Sequence, residues 1–114
     1  MANTTEDLTG FTASKTQIEA WKKEYGSVTE ISIFLDREKK KKVRCFLKDA
    51  YDNITVLSAV ATMNDTPMER NNYVLDNLWI DGDKEFKENT RVRLAGGIQA
   101  FASIEVLAGE VKKY

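Results

Sequence analysis

The segment from Thr66 to Asp83, TPMERNNYVLDNLWIDGD, constrains the fold of this chain more than any other stretch. Thr66 can cap a helix, and Pro67 suits the first helical position, where its missing N–H costs no hydrogen bond. Glu69 completes a capping box three residues after the cap. Apolar side chains then recur at helical spacing as far as Trp79, and a glycine turn follows. These signals predict one short packed helix and its exit loop.

A second capping box predicts an earlier helix from Ser14 to Tyr25, with Gln17 at the third helical position. Gly26 supplies the left-handed residue that commonly ends such a helix. A further helix can start at Asp49 or Asp52 and run to Met63. Its apolar stripe comprises Ile54, Leu57, Val60 and Ala61.

Two apolar runs predict strands, because they are rich in β-branched residues. Val28 to Leu35 is the first run, and Val43 to Leu47 is the second, with Val43, Cys45 and Leu47 on one face. The polar sequence DREKKKK between them suits a solvated hairpin. A two-stranded ribbon is marginal alone, so we expect it to pack on helices or to pair with another chain.

The last segment, Asn89 to Lys113, predicts a helix with a wide apolar face. That face comprises Leu94, Ile98, Phe101, Ala102, Val106 and Ala108. Gly96 and Gly97 oppose a helix, because each costs about 1 kcal/mol relative to Ala in a helix interior. They mark either a kink or close helix crossing, or a split into two pieces; we favour the continuous helix.

A chain of 114 residues fits a single domain with one core. We therefore predict an α+β fold, with three or four helices packed on a small antiparallel β-hairpin. Residues 1–12 are predicted to form a flexible tail that Phe11 can pin, and residues 13–114 to form one globular domain. No run approaches the roughly 18 apolar residues that a membrane span needs, and the N-terminal sequence MANTTEDLTG has no secretory pattern.

The chain contains no histidine, which removes the commonest general base and the commonest metal ligand. A single cysteine, Cys45, cannot supply a zinc site and is expected to be a small buried apolar residue. Asp81 and Asp83 flank Gly82, and we favour a turn with capping carboxylates over a calcium site, because the remaining ligands of a calcium loop cannot be placed. We expect no enzymatic activity, no catalytic metal and no cofactor.

The predicted hairpin carries six basic residues, which are candidates for contacting phosphates: Arg37, Lys39, Lys40, Lys41, Lys42 and Arg44. We favour a solvated turn that protects the strand edges, because no aromatic residue lies within the cluster to stack on a base. The whole chain also has 17 basic and 18 acidic residues, so it has no strong field to attract nucleic acid. A nucleic-acid-binding module is therefore a less favoured alternative.

The order of these segments resembles the small tail-assembly chaperones of tailed phages and prophages. The matching stretches are Phe46–Lys48 at the end of a strand, Val74–Trp79 at the end of a helix, and the acidic turn Asp81–Asp83. The resemblance covers residues 15–114. It implies a non-enzymatic protein that keeps the tape-measure protein soluble in the host cytoplasm during tail assembly, and that is expected to form oligomers. A small structural accessory protein of the virion head or tail is the first alternative.

This task requires an apolar surface that binds helical segments without a fixed sequence. The final helix and the neighbourhood of Trp79 are expected to supply it. The predicted partner-binding residues are Leu78, Trp79, Ile80, Phe86 and Phe101.

Overall fold

The structure is a computed structural model that describes residues 11–62, 66–104 and 109–114. In chain order its elements are α1 (Lys15–Tyr25), β1 (Val28–Phe34), β2 (Lys42–Lys48), α2 (Ile54–Thr62), α3 (Pro67–Leu78), β3 (Trp79–Gly82), α4 (Glu85–Glu88) and α5 (Thr90–Ala102). The predicted α+β class is confirmed. The described residues form five helices and a three-stranded antiparallel sheet, so the predicted two-stranded hairpin was incomplete.

Both predicted N-caps are confirmed. The Ser14 hydroxyl accepts a hydrogen bond from the Gln17 backbone N–H (3.1 Å). Gly26 ends α1 with a positive φ of 86°, but its ψ of −117° differs from the predicted left-handed helical conformation. The Thr66 hydroxyl accepts from the Glu69 N–H (3.3 Å), with proline at the start of α3. These side chains satisfy donors that the first turn of a helix leaves without intrahelical partners.

The third strand arises because α3 ends one residue before the sequence pattern indicated. Trp79 has extended backbone angles (φ −61°, ψ 130°) and pairs with Leu47, so it begins β3 instead of continuing the helix. The strand order is β1-β2-β3, which places β2 in the centre. Pairing on both sides of β2 satisfies its backbone groups, which a two-stranded ribbon would leave half exposed.

The core lies between one face of the sheet and helices α3, α4 and α5. Val43, Cys45 and Leu47 are buried on that face, as the alternation of β2 predicted. The other buried residues of the main cluster are Ile31, Ala50, Val56, Val74, Leu75, Leu78, Phe86, Val92 and Ala100.

Helix α5 is continuous through both glycines, which confirms the favoured prediction for this part of the segment. A Cβ atom at Gly97 would lie 3.1 Å from Asn71 Cβ, so the glycine marks a close crossing of α5 with α3. The predicted apolar face is partly wrong, since Leu94 and Ile98 are 46% and 49% exposed. The buried positions of α5 are Val92, Gly96, Gly97 and Ala100. The helix ends at Ala102, and residues 106 and 108 of the predicted face lie outside the described residues.

Helix α2 begins later than predicted. The Asn53 side chain accepts a hydrogen bond from the Val56 N–H (3.0 Å), so neither Asp49 nor Asp52 is its cap. Asp49 instead accepts from the Tyr51 N–H in the preceding turn (2.9 Å). The predicted end at Met63 lies outside the described residues.

The opposite face of the sheet is covered at its centre by two aromatic rings. Phe46 of β2 is buried under Trp21 of α1, with ring centroids 5.2 Å apart, and under Phe11, at 6.1 Å. The Phe11 backbone N–H also donates to Asp83 (2.7 Å), so this residue pins the start of the described chain, as expected. Residues 1–10 of the predicted tail lie outside the described residues. In the described part of the chain no helix is long and apolar enough to cross a membrane.

Candidate partner-binding site

An apolar cleft opens between α2 and the C-terminal end of α5. Its volume is about 460 Å³. The lining residues are Leu57, Val60, Ala61, Phe101, Ala102 and Ile104. All six are at least partly exposed, and none carries a polar side-chain group. Such an exposed apolar surface is typical of a site that another protein covers.

The local sequence explains why this cleft remains open. Helix α2, ITVLSAVAT, has no charged residue, so it offers apolar side chains on more than the face that packs on α3. Only Val56 of this helix is buried, and Ile54 is 71% exposed. The sequence pattern predicted an apolar stripe on this helix. The absence of charge around the whole helix is the signal that indicates a second contact surface.

At one rim of the cleft, the side chain of Arg70 packs on the ring of Phe101. The Arg70 guanidinium lies 3.8 Å from the centroid of the Phe101 ring, and its Nε and NH2 atoms donate to Asn71 (3.3 Å each). A guanidinium at this distance makes a favourable cation–π contact with the ring. Arg70 therefore packs against Phe101 at the edge of the cleft.

The structure separates the five residues predicted to bind a partner. Leu78 and Phe86 are 1% and 0% exposed, so in this conformation both belong to the core and neither offers a docking surface. Trp79, Ile80 and Phe101 are half-buried. Trp79 begins the strand at the end of α3, whereas Phe101 stacks on Arg70 near its start. Nine residues of helix span about 13 Å, so these two aromatic residues do not form one continuous site.

Trp79 packs locally instead. Its ring centroid lies 6.0 Å from that of Phe86, and the Lys87 Nζ lies 4.6 Å above its ring. The tryptophan therefore covers one side of the buried phenylalanine and is itself covered by a lysine.

The six basic residues of the hairpin lie in two different environments. Arg37, Lys39, Lys40 and Lys41 are exposed in the turn. Lys42 and Arg44 are half-buried residues of β2, and the Arg44 Nε lies 3.6 Å from Glu30 across the strands.

A carboxylate shapes the turn of this hairpin. Asp36 accepts hydrogen bonds from the backbone N–H groups of Lys40 (2.9 Å) and Lys41 (3.2 Å), while Lys39 adopts a left-handed φ of 60°. The turn therefore presents four cations in a defined geometry.

The carboxylates of Asp81 and Asp83 accept hydrogen bonds from backbone N–H groups. The two carboxylate oxygens of Asp83 accept from the N–H groups of Phe11 (2.7 Å) and Arg44 (2.9 Å), and Asp81 accepts from the Gly82 N–H (2.8 Å). The predicted turn with capping carboxylates is therefore only partly correct, because Asp81 and Gly82 belong to β3 and the Asp83 side chain joins two segments distant in sequence instead of capping α4. Within residues 11–62, 66–104 and 109–114, no group of three or more Cys, Asp or Glu side chains is placed to hold a metal ion.

Cys45 is buried in the sheet and has no disulfide partner. Burial, together with the smaller effects of the Asp83 and Glu30 charges, raises the pKa of its thiol to about 12. The thiol is therefore protonated and unreactive at neutral pH. This environment suits a packing role and not that of a nucleophile.

Comparison of the chain with protein-family models, with curated proteins and with solved structures gave no match.

Proposed function

We propose that this protein is a non-enzymatic tail-assembly chaperone of a phage or prophage, which binds the tape-measure protein in the host cytoplasm. The observation that carries the proposal is the apolar cleft between α2 and the end of α5. The order of the segments resembles that of the tail-assembly chaperones, and this resemblance is the reason for naming the tape-measure protein as the partner.

The dimensions of the cleft fit a helical partner segment. Helix α2 has nine residues, which at 1.5 Å per residue give a wall about 13 Å long. A partner helix can place two or three apolar side chains along such a wall, at i, i+3 and i+7. A long tape-measure protein offers many segments of this kind, and a cleft lined only by apolar side chains has no polar group with which to select among them.

The chemistry of the described residues supports a binding role. The only sulfur nucleophile is buried with a raised pKa, and the carboxylates of the acidic turn are occupied by backbone N–H groups. Oligomerisation is part of the proposal, since several copies would cover a long partner.

The direct experiment is co-expression with the long tape-measure protein encoded in the same gene cluster, measuring how much of that protein stays soluble and co-purifies. Ala61→Glu and Ala102→Glu place charges in the cleft at exposed positions, so each should reduce co-purification at least about tenfold while the melting temperature changes little. Ser58→Glu is the matched control, because Ser58 is an exposed residue of α2 outside the cleft. Equal co-purification by all variants would refute the cleft as the binding site.

Mass spectrometry of mature particles separates this function from the first alternative. A chaperone should be absent from the particle, whereas a structural accessory protein of the head or tail would be present in many copies. A metabolic operon around the gene, without a tape-measure gene, would contradict both assignments.

A further inference from the structure

A groove runs between α5 and the edge of the sheet at β1, with which no further described strand pairs. Two adjacent cavities form it, of about 250 and 300 Å³. The first is lined by Thr29 to Ser32 and by Gln99, Ala102 and Ser103; the second is lined by Ile33 to Leu35 and by Glu85, Asn89, Arg91, Val92 and Ala95. The groove therefore follows β1 for its whole length, with the helix as its second wall.

The edge of β1 offers backbone hydrogen-bonding groups in a known order. The Leu35 N–H donates to the Lys41 carbonyl (2.8 Å), which fixes the alternation of the ladder between β1 and β2. By that alternation Ile31 and Ile33 exchange hydrogen bonds with β2, whereas Glu30, Ser32 and Phe34 direct their N–H and C=O groups to the open edge.

The third strand supports the same assignment independently. Arg44 is the residue opposite Ser32, and both of its backbone groups bond to Asp83 on the side away from β1. Residues directly opposite in an antiparallel pair share their hydrogen-bonding state. The backbone groups of Ser32 therefore also face away from β2, towards the groove.

We infer that this groove binds an extended peptide segment of a partner protein, which adds to β1 as a fourth strand. The backbone groups at Glu30, Ser32 and Phe34 would bond its main chain. Every second side chain of the added strand would lie on the face of Ile31 and Ile33, against α5, because directly opposite residues share a face of the sheet. The helix side of the groove offers both small residues (Ala95, Ala102 and Ser103) and longer polar ones (Gln99 and Arg91).

These features define the chemistry of the occupant. It is a segment of about five to seven residues, set by the seven residues of β1. Its alternate side chains are of small to medium size and apolar or weakly polar, like valine and threonine, since the helix side of the groove combines Ala95 and Ala102 with polar residues such as Gln99. Residues of α5 form much of the second wall of the groove, and a groove walled by a helix favours a single added strand over a second sheet. The groove shares only Ala102 with the α2–α5 cleft, and its other lining residues are different, so the inference does not depend on the proposed function.

The probe is an eight-residue peptide in which valine and threonine alternate between terminal lysines, titrated into the ¹⁵N-labelled full chain. Saturable binding should shift the backbone amides of Glu30, Ser32 and Phe34. The same peptide N-methylated at alternate residues cannot donate along one edge, so it should bind about tenfold more weakly.

Variants test the edge from the protein side. Ser32→Pro removes an N–H that does not bond to β2, and it should weaken peptide binding about tenfold; Ser32→Thr retains the N–H and should stay within about twofold. Ala95→Glu fills the wall of the groove without touching the strand, and should weaken binding similarly even if the proline variant folds poorly.

Three results would overturn the inference. The first is equal binding of the N-methylated peptide. The second is a set of amide shifts that map to the α2–α5 cleft, and the third is no binding at about 1 mM peptide. A fourth outcome, protection of the same three amides in a concentration-dependent dimer without peptide, would assign the edge to a second copy of this chain and would equally refute a peptide partner.

Discussion

Gly96 of α5 lies directly against the ring of Phe86 of α4: a Cβ atom at this glycine would stand 2.7 Å from the phenylalanine Cδ1. The ring is fully buried and cannot retreat without displacing its neighbours. The two residues therefore form a close contact in which the missing side chain of one makes room for the other.

Gly96→Ala should destabilise the fold, although alanine is the better helix former. Overpacking a core costs about 1–3 kcal/mol, and the gain in helix propensity returns only about 1 kcal/mol. We expect a net loss of roughly 1 kcal/mol and a fall of several degrees in the melting temperature, measured by circular dichroism. Gly109→Ala is the control, because nothing lies within 4 Å of the added Cβ. An unchanged or raised melting temperature for Gly96→Ala would show that the Phe86 ring moves enough to accommodate the added methyl group.

The same glycine illustrates what the sequence could predict. Helix starts were predictable at Ser14 and Thr66, because a cap depends on residues three apart in the chain. The close crossing at the double glycine was one of two open interpretations, since the sequence does not reveal which ring the glycine meets.

Two features of the fold depend on contacts that are distant in sequence. Trp79 continues a helical pattern locally, yet it pairs with Leu47 across the sheet and starts a strand. Likewise, Leu78 and Phe86 were predicted to contact a partner, whereas the packing of α4 and α5 buries both. Apolar periodicity identifies a residue that avoids water, but it does not tell whether its neighbour is the core or another protein.

Asp83→Ala should loosen both the sheet edge and the start of the described chain. Its carboxylate accepts hydrogen bonds from the N–H groups of Phe11 and Arg44, and removing it leaves both donors without that acceptor. The expected loss is about 1–3 kcal/mol in the free energy of unfolding.

Hydrogen exchange provides the specific readout for Asp83→Ala. The amides of Phe11 and Arg44 should exchange faster, while those of α3 are unaffected. Asp49→Ala is the control, since Asp49 bonds only to a local turn. If exchange rises everywhere equally, the carboxylate has no local role.

The ion pair between Arg93 and Asp76 predicts a pH-dependent contribution to stability. Two hydrogen bonds join the groups, at 3.0 and 2.7 Å, and the hydrogen bond from Arg93 lowers the pKa of the Asp76 carboxyl below its usual 3.8. Because the folded-state pKa is lowered, the stabilisation is complete above pH 3.8 and is lost as the pH falls through the folded-state pKa.

Arg93→Gln should therefore cost about 0.5 kcal/mol at pH 7, a value reduced by the partial exposure of both groups, and less at pH 3, below the usual pKa of 3.8. Urea unfolding at the two pH values measures this difference. Arg91→Gln, at an exposed position of the same helix, should show no such pH dependence. A cost for Arg93→Gln that is equal at both pH values would contradict the role of the ion pair.

Cys45 should be inert in the folded protein. It is fully buried and the pKa of its thiol is raised to about 12, so almost no thiolate exists at neutral pH. Ellman's reagent should react at the rate of global unfolding, and its rate should rise steeply with urea. A Cys45→Ala variant gives the background. Rapid reaction without denaturant would show that the sheet opens locally at this residue.

The exposed cations of the hairpin turn give the last prediction, because they are the feature that favours nucleic acid over a protein partner. Arg37, Lys39, Lys40 and Lys41 are held in the turn that Asp36 shapes. Four phosphate contacts would give a log–log salt slope of about 3.6 on duplex DNA, since each contributes about 0.9. Because the rest of the surface is neutral to acidic, we expect weak binding at low salt that disappears near 0.15 M, where charges are screened within roughly 8 Å.

Fluorescence anisotropy with a labelled duplex at several salt concentrations measures the slope. Replacing Lys39, Lys40 and Lys41 by Ser should remove the weak binding for every sequence alike. The control replaces Lys22 and Lys23 of α1, which leaves the hairpin intact and should change the slope little. Micromolar or tighter binding that persists at about 0.15 M salt and depends on the hairpin lysines would assign the protein to nucleic-acid packaging or regulation, and would end the chaperone proposal.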